Sequence, residues 1–349
     1  MRIGITIGDI NGIGPEVIIK ALAVPNIMKM CTPVVYGSTK ILSYHKNIVK
    51  DSSIHFQGIQ HIKQVQGGRI NVINCWEDNV NITLGKATAE GGKYAHMALD
   101  RAMKDLKEGL IDAVVTAPVN KHAMKLSNFP YPGHTEYFTA QDGDKTSLMM
   151  LCSDALRVAL VTNHIPVSKV AGSINKELIM RKIQILHKTL VEDFDIDRPV
   201  ISVLGLNPHA GDEGMLGDEE EKYIRPAIIE SKKNGMIVTG PHPADGFFGS
   251  AQWKKADAIL AMYHDQGLIP FKALTFGTGI NFTAGLSFVR TSPDHGTAYD
   301  ITGQNIADES SLLQAIYAAI DISRNRKEYH EDRANALVRK EKQAAGLDD

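Results

Sequence analysis

Short aliphatic runs recur along the chain, and several lead straight into polar clusters. Arg2–Ile7, Thr32–Tyr36, Ile111–Thr116, Leu156–Thr162, the start of Val200–Gly211, Met236–Thr239 and Asp257–Tyr263 all read as strands. Between them the period changes. Ala95, Ala98, Leu99, Ala102, Met103 and Leu106 recur at three- and four-residue spacing, which predicts an amphipathic helix over Thr88–Leu106 ended by Gly109. Ile174, Leu178, Ile179, Ile183, Leu186 and Leu190 predict a second. Pro15 and Glu16 suit the opening turn of a helix through Val17–Ala23. Glu219–Glu230 reads as a helix that Pro226 should bend or interrupt, and Asp308–Ile322 as the last one. Ser43–Asn79 is less regular, with a surface turn followed by a strand inside His61–Cys75, and Ala273–Asn281 offers one more short strand. Asn335–Asp349 reads as a solvated helix or a frayed tail. The alternation of strand and helix predicts an α/β fold around a mostly parallel sheet.

In such sheets ligands bind outside the carboxyl ends of the strands, so the residues just past each run carry the chemistry. Ala261–Lys272, AMYHDQGLIPFK, places His264 and Asp265 at a strand end, with Gly267 and Lys272 beyond. RVALVTNH ends at His164, and VISVLGLNPHAG carries His209. A single histidine is as readily a packed or capping residue. Three in one context suit convergence on a divalent ion. TAPVNK at Thr116–Lys121 is a further polar cluster behind a buried strand. The proline- and glycine-rich Asn128–His134 breaks the pattern and marks a domain crossing. His134, Thr135 and Glu136 then open a short helix, where they form either an anion seat or an ordinary cap. Asp245, in GPHPADGFF, is a functional carboxylate or a reverse-turn Asp. The segment holding Asp294, His295, Gly296 and Asp300 is too polar and glycine-dense to pack well, which favours a ligand-contacting loop. Gly8–Gly14, GDINGIG, does not satisfy the dinucleotide fingerprint. It is either a tight strand-to-helix connection or a set of amides exposed to the active site.

Composition narrows the class. The 349 residues are 43% hydrophobic and 22% charged, enough for two or three domains. A formal charge of -2 and a pI near 6.7 give no field that favours nucleic acid or an anionic membrane. Cys31, Cys75 and Cys152 are an odd set at unrelated spacings, which suggests a reducing compartment. MRIGITIG offers no leader-like segment, and no stretch reaches membrane-spanning length. The expectation is a cytoplasmic α/β enzyme.

TAPVNK, GHTE, NPHAG, AMYHDQGLIPFK and RTSPDHGTAYDI occur in this order. Together they resemble the 4-hydroxythreonine-4-phosphate dehydrogenase family of the pyridoxal 5'-phosphate pathway, over roughly Arg2 to Ser323. The opening GDINGIG departs from the common family form at Ile10 and Asn11. The resemblance implies an isocitrate/isopropylmalate dehydrogenase-like fold, not a Rossmann one: two α/β domains flank a cleft, residues 1–128 with 300–349 forming one and 129–299 the other. It implies a homodimer with active sites completed across the interface. It places a divalent metal (Zn, Mg, Co or Mn) on His164, His209 and His264. The phosphorylated substrate falls on His134, Thr135, Lys272, Asn281 and Arg290. NAD or NADP falls on the loops around Gly211, Gly214, Ser292, Asp294 and His295. Asp245, Asp265 and Lys272 are its candidates for proton transfer or for orienting the metal site. The implied reaction is oxidation of a phosphorylated hydroxy amino acid to a β-keto acid that loses carbon dioxide. Related enzymes for phosphorylated threonate or erythronate are the nearest alternative. From the residues alone, a three-histidine metallohydrolase is another reading, and a non-catalytic phosphometabolite-binding protein a third.

Overall fold

The computed structural model describes residues 1–50, 54–143, 146–275 and 277–334. The charged segment Asn335–Asp349 lies outside them. The strands are β1 (Arg2–Thr6), β2 (Thr32–Gly37), β3 (Phe56–Ile59), β4 (Ile70–Asn74), β5 (Ala113–Thr116), β6 (Leu148–Cys152), β7 (Arg157–Leu160), β8 (Val200–Leu204), β9 (Ile237–His242), β10 (Ala258–Ala261), β11 (Ile280–Ala284) and β12 (Val289–Pro293). They join in one twelve-stranded sheet, in the order β3-β4-β2-β1-β5-β12-β11-β6-β7-β10-β8-β9.

Direction matters more than order. From β3 to β12 every neighbouring pair is parallel, and so is every pair from β7 to β9. Between these blocks the pairs β12–β11, β11–β6 and β6–β7 are all antiparallel. The two parallel blocks therefore run in opposite directions. The expectation of a mostly parallel sheet holds inside each block and fails at the centre. The reason is connection length: β6 turns into β7 through Ser153–Leu156, where Ser153 N–H donates to the Leu156 carbonyl at 2.9 Å, and β11 turns into β12 at Gly285. Connections that short make hairpins, because a parallel return needs a crossover of a dozen residues or more. The β6 run, LMMLC, has no polar alternation to mark it as a strand.

Alternating helices cover the sheet. Ala89–Lys107 matches the expected apolar face, with the Thr88 hydroxyl capping it by accepting from Gly91 N–H at 3.0 Å. Lys176–Glu192 is the second expected helix. The break expected near Pro226 lies just before it: a single π turn, Glu220–Ile224, runs into an α-helix at Arg225 whose first turn accommodates the proline. The "less regular" region holds a helix, Thr39–Val49, and two strands. The strand expected over Ala273–Asn281 is displaced. A helix spans His264–Thr275, and β11 begins at Ile280.

GDINGIG is a tight connection. Asn11 N–H donates to Asp9 Oδ1, Gly12 N–H to the Asp9 carbonyl, and Ile13 N–H to the Thr297 carbonyl. Its amides are thus spent inside the protein, and Asp9 and Asn11 are buried.

The His264–Thr275 helix packs on the face of β6, β7 and β10 through Leu268 and Phe271, in a cluster with Leu151, Val158, Leu160 and Ile259. Gly267 sets how close it comes, because a Cβ there would lie 2.7 Å from Val158 Cγ1 and 3.0 Å from Ala261 Cβ. Gly267→Ala is expected to push the helix off the sheet and cost about 1–3 kcal/mol, as overpacked cores do. Urea unfolding measures it, and an unchanged midpoint would show that the helix yields without cost.

Candidate active site

The reversal of strand direction creates the site. On β5, β12, β11 and β6, alternate side chains share one face. Thr116, Ser292 and Asn281 lie in one row of that face, and Arg290, Thr283 and Met149 in the next, as the pairings Asn281↔Ser292 and Thr283↔Met149 require. A cleft of about 230 Å³ sits over these rows. Its walls come from Thr116–Val119, Lys121, Gly133–Glu136, His164 and His295–Gly296. The site thus rests on a sheet face where the two blocks meet, and several of its walls follow the carboxyl ends of β5, β7 and β12.

Arg290 is 3% exposed. Its Nε and Nη2 donate to Thr116 Oγ1 at 3.1 and 2.6 Å, its Nη1 to Thr283 Oγ1 at 3.0 Å, and its Nη2 also meets His134 Nδ1 at 3.3 Å. The Phe138 ring lies 5.7 Å beneath it. No carboxylate among the described residues pairs with it within 4 Å. Burial lowers its pKa to about 10, opposed in part by Glu136. His134 is pushed down to about 3, chiefly by burial and then by the Arg290 charge, so it is neutral. Its Nε2 is buried without a partner among the described residues, as is Asn281 Oδ1. Unpaired buried polar atoms around a cleft are where a ligand's own polar groups belong. Thr135 stands beside them in the first turn of His134–Gln141, a helix with no side-chain cap.

His164 and His264 follow the adjacent strands β7 and β10, and their ring centroids are 5.7 Å apart. Two imidazoles on one tetrahedral ion hold their centroids roughly 5 Å apart, given metal–nitrogen bonds of about 2 Å. His264 Nδ1 bonds Asp265 Oδ1 at 2.7 Å, which leaves Nε2 available and supplies the carboxylate partner that metal-bound histidines use. His164 Nδ1 lies 3.7 Å from Glu136 Oε1, and the His164 contact is the leading reason the Glu136 pKa is lowered. This pair, with Asp265 behind it, fits a divalent cation. His209 does not join it within one chain. It is exposed on the Pro208–Gly214 loop, and among the described residues no group of three or more His, Cys, Asp or Glu side chains is arranged to hold a metal.

The other expected residues divide. Ser292 and His295 line the same cleft as His134, and His295 Nε2 is also buried without a partner among the described residues. Lys272 and Asp294 are not among the cleft-lining residues and pair with each other, Lys272 Nζ 3.2 Å from Asp294 Oδ1; burial raises the Asp294 pKa against the pull of Lys272. Asp245 is exposed in the first turn of Ala244–Gly249 and lies outside the cleft lining. Gly211 and Gly214 belong to the Pro208–Gly214 loop, where His209 to Glu213 all have positive φ. Sequence reasoning did not single out the residue that holds this loop. Glu220, 1% exposed, accepts from Leu206 N–H at 2.7 Å, Asn207 N–H at 2.8 Å and Asn207 Nδ2 at 2.9 Å. In the run Glu219–Glu221 nothing marks the buried member.

A family model described as pyridoxal phosphate biosynthetic protein PdxA matches residues 29–319. The chain belongs to that family. It is similar to a 4-hydroxythreonine-4-phosphate dehydrogenase of Bacteroides thetaiotaomicron, 50% identical over 97% of this chain and 93% of the relative. A solved structure, the 4-hydroxythreonine-4-phosphate dehydrogenase of Klebsiella pneumoniae, is 36% identical with a TM-score of 0.80, covering 92% of this chain and 98% of that one. A D-threonate 4-phosphate dehydrogenase of Cupriavidus necator is also similar, at 40% identity over 93% of this chain and 98% of its own.

Proposed function

We propose that this chain is an NAD- or NADP-dependent, divalent-metal dehydrogenase. It oxidises 4-phosphooxy-L-threonine to a β-keto acid that decarboxylates to 3-amino-2-oxopropyl phosphate, a step in pyridoxal 5'-phosphate biosynthesis. The observation that carries this reading is the adjacency of an anion-seeking cluster (His134, Asn281, Arg290) to the His164–His264 pair, with His164 lining the same cleft.

In this reading His134 Nε2–H, Thr135 and the Arg290 charge hold anionic oxygens of the phosphorylated substrate, with Asn281 beside them. Lys272 serves either on phosphate or as a proton carrier. Asp265 keeps the His264 ring oriented by accepting from its Nδ1–H. His164 and His264, with a third ligand from His209, would hold the cation. When bound, it lowers the pKa of the substrate hydroxyl and polarises the developing ketone. Ser292, Asp294 and His295 on one side, and the Gly211–Gly214 loop on the other, position the nicotinamide that accepts the hydride. Decarboxylation follows because the new carbonyl accepts the electrons of the breaking carbon–carbon bond.

His209 lies off the pair within one chain, which supports a homodimer whose sites are completed across the interface; Asp245 enters the reading as a proton acceptor or a group that orients the metal site. Sedimentation should give twice the 38.2 kDa chain mass; an active monomer would exclude the shared site. The two-unit division, residues 1–128 with 300–349 against 129–299, is part of the same reading. The same reading places the enzyme in the cytoplasm, and no helix among the described residues is long and apolar enough to cross a membrane.

The second reading, oxidation of phosphorylated threonate or erythronate, is favoured by the similarity to the Cupriavidus necator enzyme. The two substrates differ in an amino group against a hydroxyl beside the carboxylate. Initial rates on both, with metal-loaded protein and either nicotinamide, decide between them. Absence of nicotinamide reduction with every substrate would overturn both.

A further inference from the structure

The four-carbon acid of the proposed reaction carries an anionic group at each end, a phosphate and a carboxylate. Two cations, Arg290 and Lys121, line the cleft, and Glu136 is its one lining carboxylate. Arg290 is buried beside His134, at the end already given to the phosphate. Lys121 closes TAPVNK, beyond β5. Its exposed side chain makes no hydrogen bond, and no ion pair within 4 Å, among the described residues. A Cβ on Gly133 would lie 3.8 Å from Lys121 Cε and 3.1 Å from Glu136 Oε2, so both side chains reach the same wall of the cleft. They do not pair. Glu136 leans to His164, and the pull that lowers its pKa comes first from His164 and last from Lys121. Nothing in the fold calls for a cation at this position either. Lys121 opens the Lys121–Leu126 helix behind the Asn120 cap, where backbone amides favour negative charge, and Lys125 adds a like charge four residues on. An unpaired ammonium that lines a cleft, at a position the free protein disfavours, is best satisfied by the anion of a ligand.

We infer that Lys121 binds the carboxylate of the substrate, leaving the phosphate to Arg290 and His134. The inference deepens the proposed function and rests on it for the identity of the acid. It does not depend on whether an amino group or a hydroxyl stands beside the carboxylate, since both candidate substrates carry that carboxylate. An ammonium suits the task. It is a compact charge with three rotatable donors on a flexible stem, whereas a guanidinium fork fixes the plane of the group it grips. Decarboxylation needs the freedom, because the carbon–carbon bond breaks most readily when it stands perpendicular to the plane of the new ketone. Lys121 can follow the carboxylate as it turns.

The test separates the two ends of the ligand on metal-loaded protein. 3-Amino-2-hydroxypropyl phosphate is 4-phosphooxy-L-threonine with hydrogen in place of the carboxylate. Lys121→Met should raise KM for the phosphorylated acid by roughly tenfold or more, the scale of a hydrogen bond to a charged group, and shift the inhibition constant of the carboxylate-free analogue by less than about twofold. Lys121→Arg, which keeps the charge, should recover most of the lost affinity for the acid and again leave the analogue unchanged. Thermal melting supplies the control. Lys121→Met should melt no lower than wild type, because it removes a cation from a first helical turn. Equal weakening of acid and analogue would mean that Lys121 serves the phosphate or the shape of the cleft, and would overturn the inference. A lower melting temperature with both ligands weakened would make Lys121 a support of the fold, with the same result. A wild type that oxidises neither 4-phosphooxy-L-threonine nor phosphorylated threonate rejects the proposed function, and the carboxylate assignment falls with it. Oxidation of either acid, with equal losses for acid and analogue in the variant, rejects the assignment alone.

Discussion

His264→Ala is expected to cut turnover by at least about 100-fold and to lower bound metal below one ion per site, with little change in thermal stability. The side chain is partly exposed and makes one strong contact, to Asp265, so its removal opens no core. It removes one of two imidazoles that face each other at 5.7 Å. His164→Ala should do the same, and the double variant should be little worse than either, because groups that serve one ion lose their effect together. Asp265→Asn should cost less, about 10- to 100-fold, as partners of metal ligands do. The informative case is His209. If it completes the site from the other subunit, His209→Ala and His264→Ala chains are each inactive alone. Mixed dimers would regain one working site, since it would combine the intact His209 of one chain with the intact His264 of the other. Co-expression with two affinity tags isolates such dimers. Mixed dimers as inactive as either parent would place the whole site within one chain, and an active His209→Ala parent would remove His209 from it.

What the sequence disclosed follows from the range of its signals. Strand-end histidines were legible because an aliphatic run that stops at a polar residue is a local pattern. His164 and His264 follow such runs on adjacent strands and do meet. His209 follows one too, but six successive residues of positive φ, His209 to Gly214, carry it along an exposed loop. Nothing in NPHAGDEG announces that conformation, since only two of the six residues from His209 to Gly214, Gly211 and Gly214, are glycines. The reversal of strand direction at β11 and β6 was equally hidden, because it depends on which strands pair across the sheet. That reversal places Arg290, Thr283 and Asn281 on one face. The helix from His264 was obscured by Pro270 and Gly267, which usually argue against one. Here Gly267 is required by the close approach to β7 and β10.

Glu220 is where that hidden loop is held, and its replacement should have the largest effect outside the cleft. One buried carboxylate gathers the Leu206 and Asn207 amides and the Asn207 side chain, and Gly211 packs directly against it. Left-handed backbone costs L-residues roughly 1–2 kcal/mol each, so His209, Ala210, Asp212 and Glu213 keep it only if their neighbours impose it. Gly211, at φ 83, escapes that cost, but any side chain there would strike the carboxylate at 2.7 Å. Glu220→Ala removes the acceptor from three donors at once and opens a hole beside the loop. A loss of roughly 3–5 kcal/mol is expected, the range for breaking a buried charged interaction. Glu220→Gln keeps the volume but turns an N–H toward existing donors, so it should recover only part of this. Glu221→Gln, one position on, removes an exposed partner of Arg225 and should stay within about 0.5 kcal/mol. The functional signature is a split. The loop is proposed to seat the nicotinamide, so KM for the cofactor should rise at least about tenfold at temperatures where the variant is folded, while KM for the phosphorylated substrate, set by His134 and Arg290, should hold. Equal loss of both would make Glu220 a general support of the fold, and a variant with wild-type stability and cofactor KM would mean that the loop keeps its left-handed turn without this anchor.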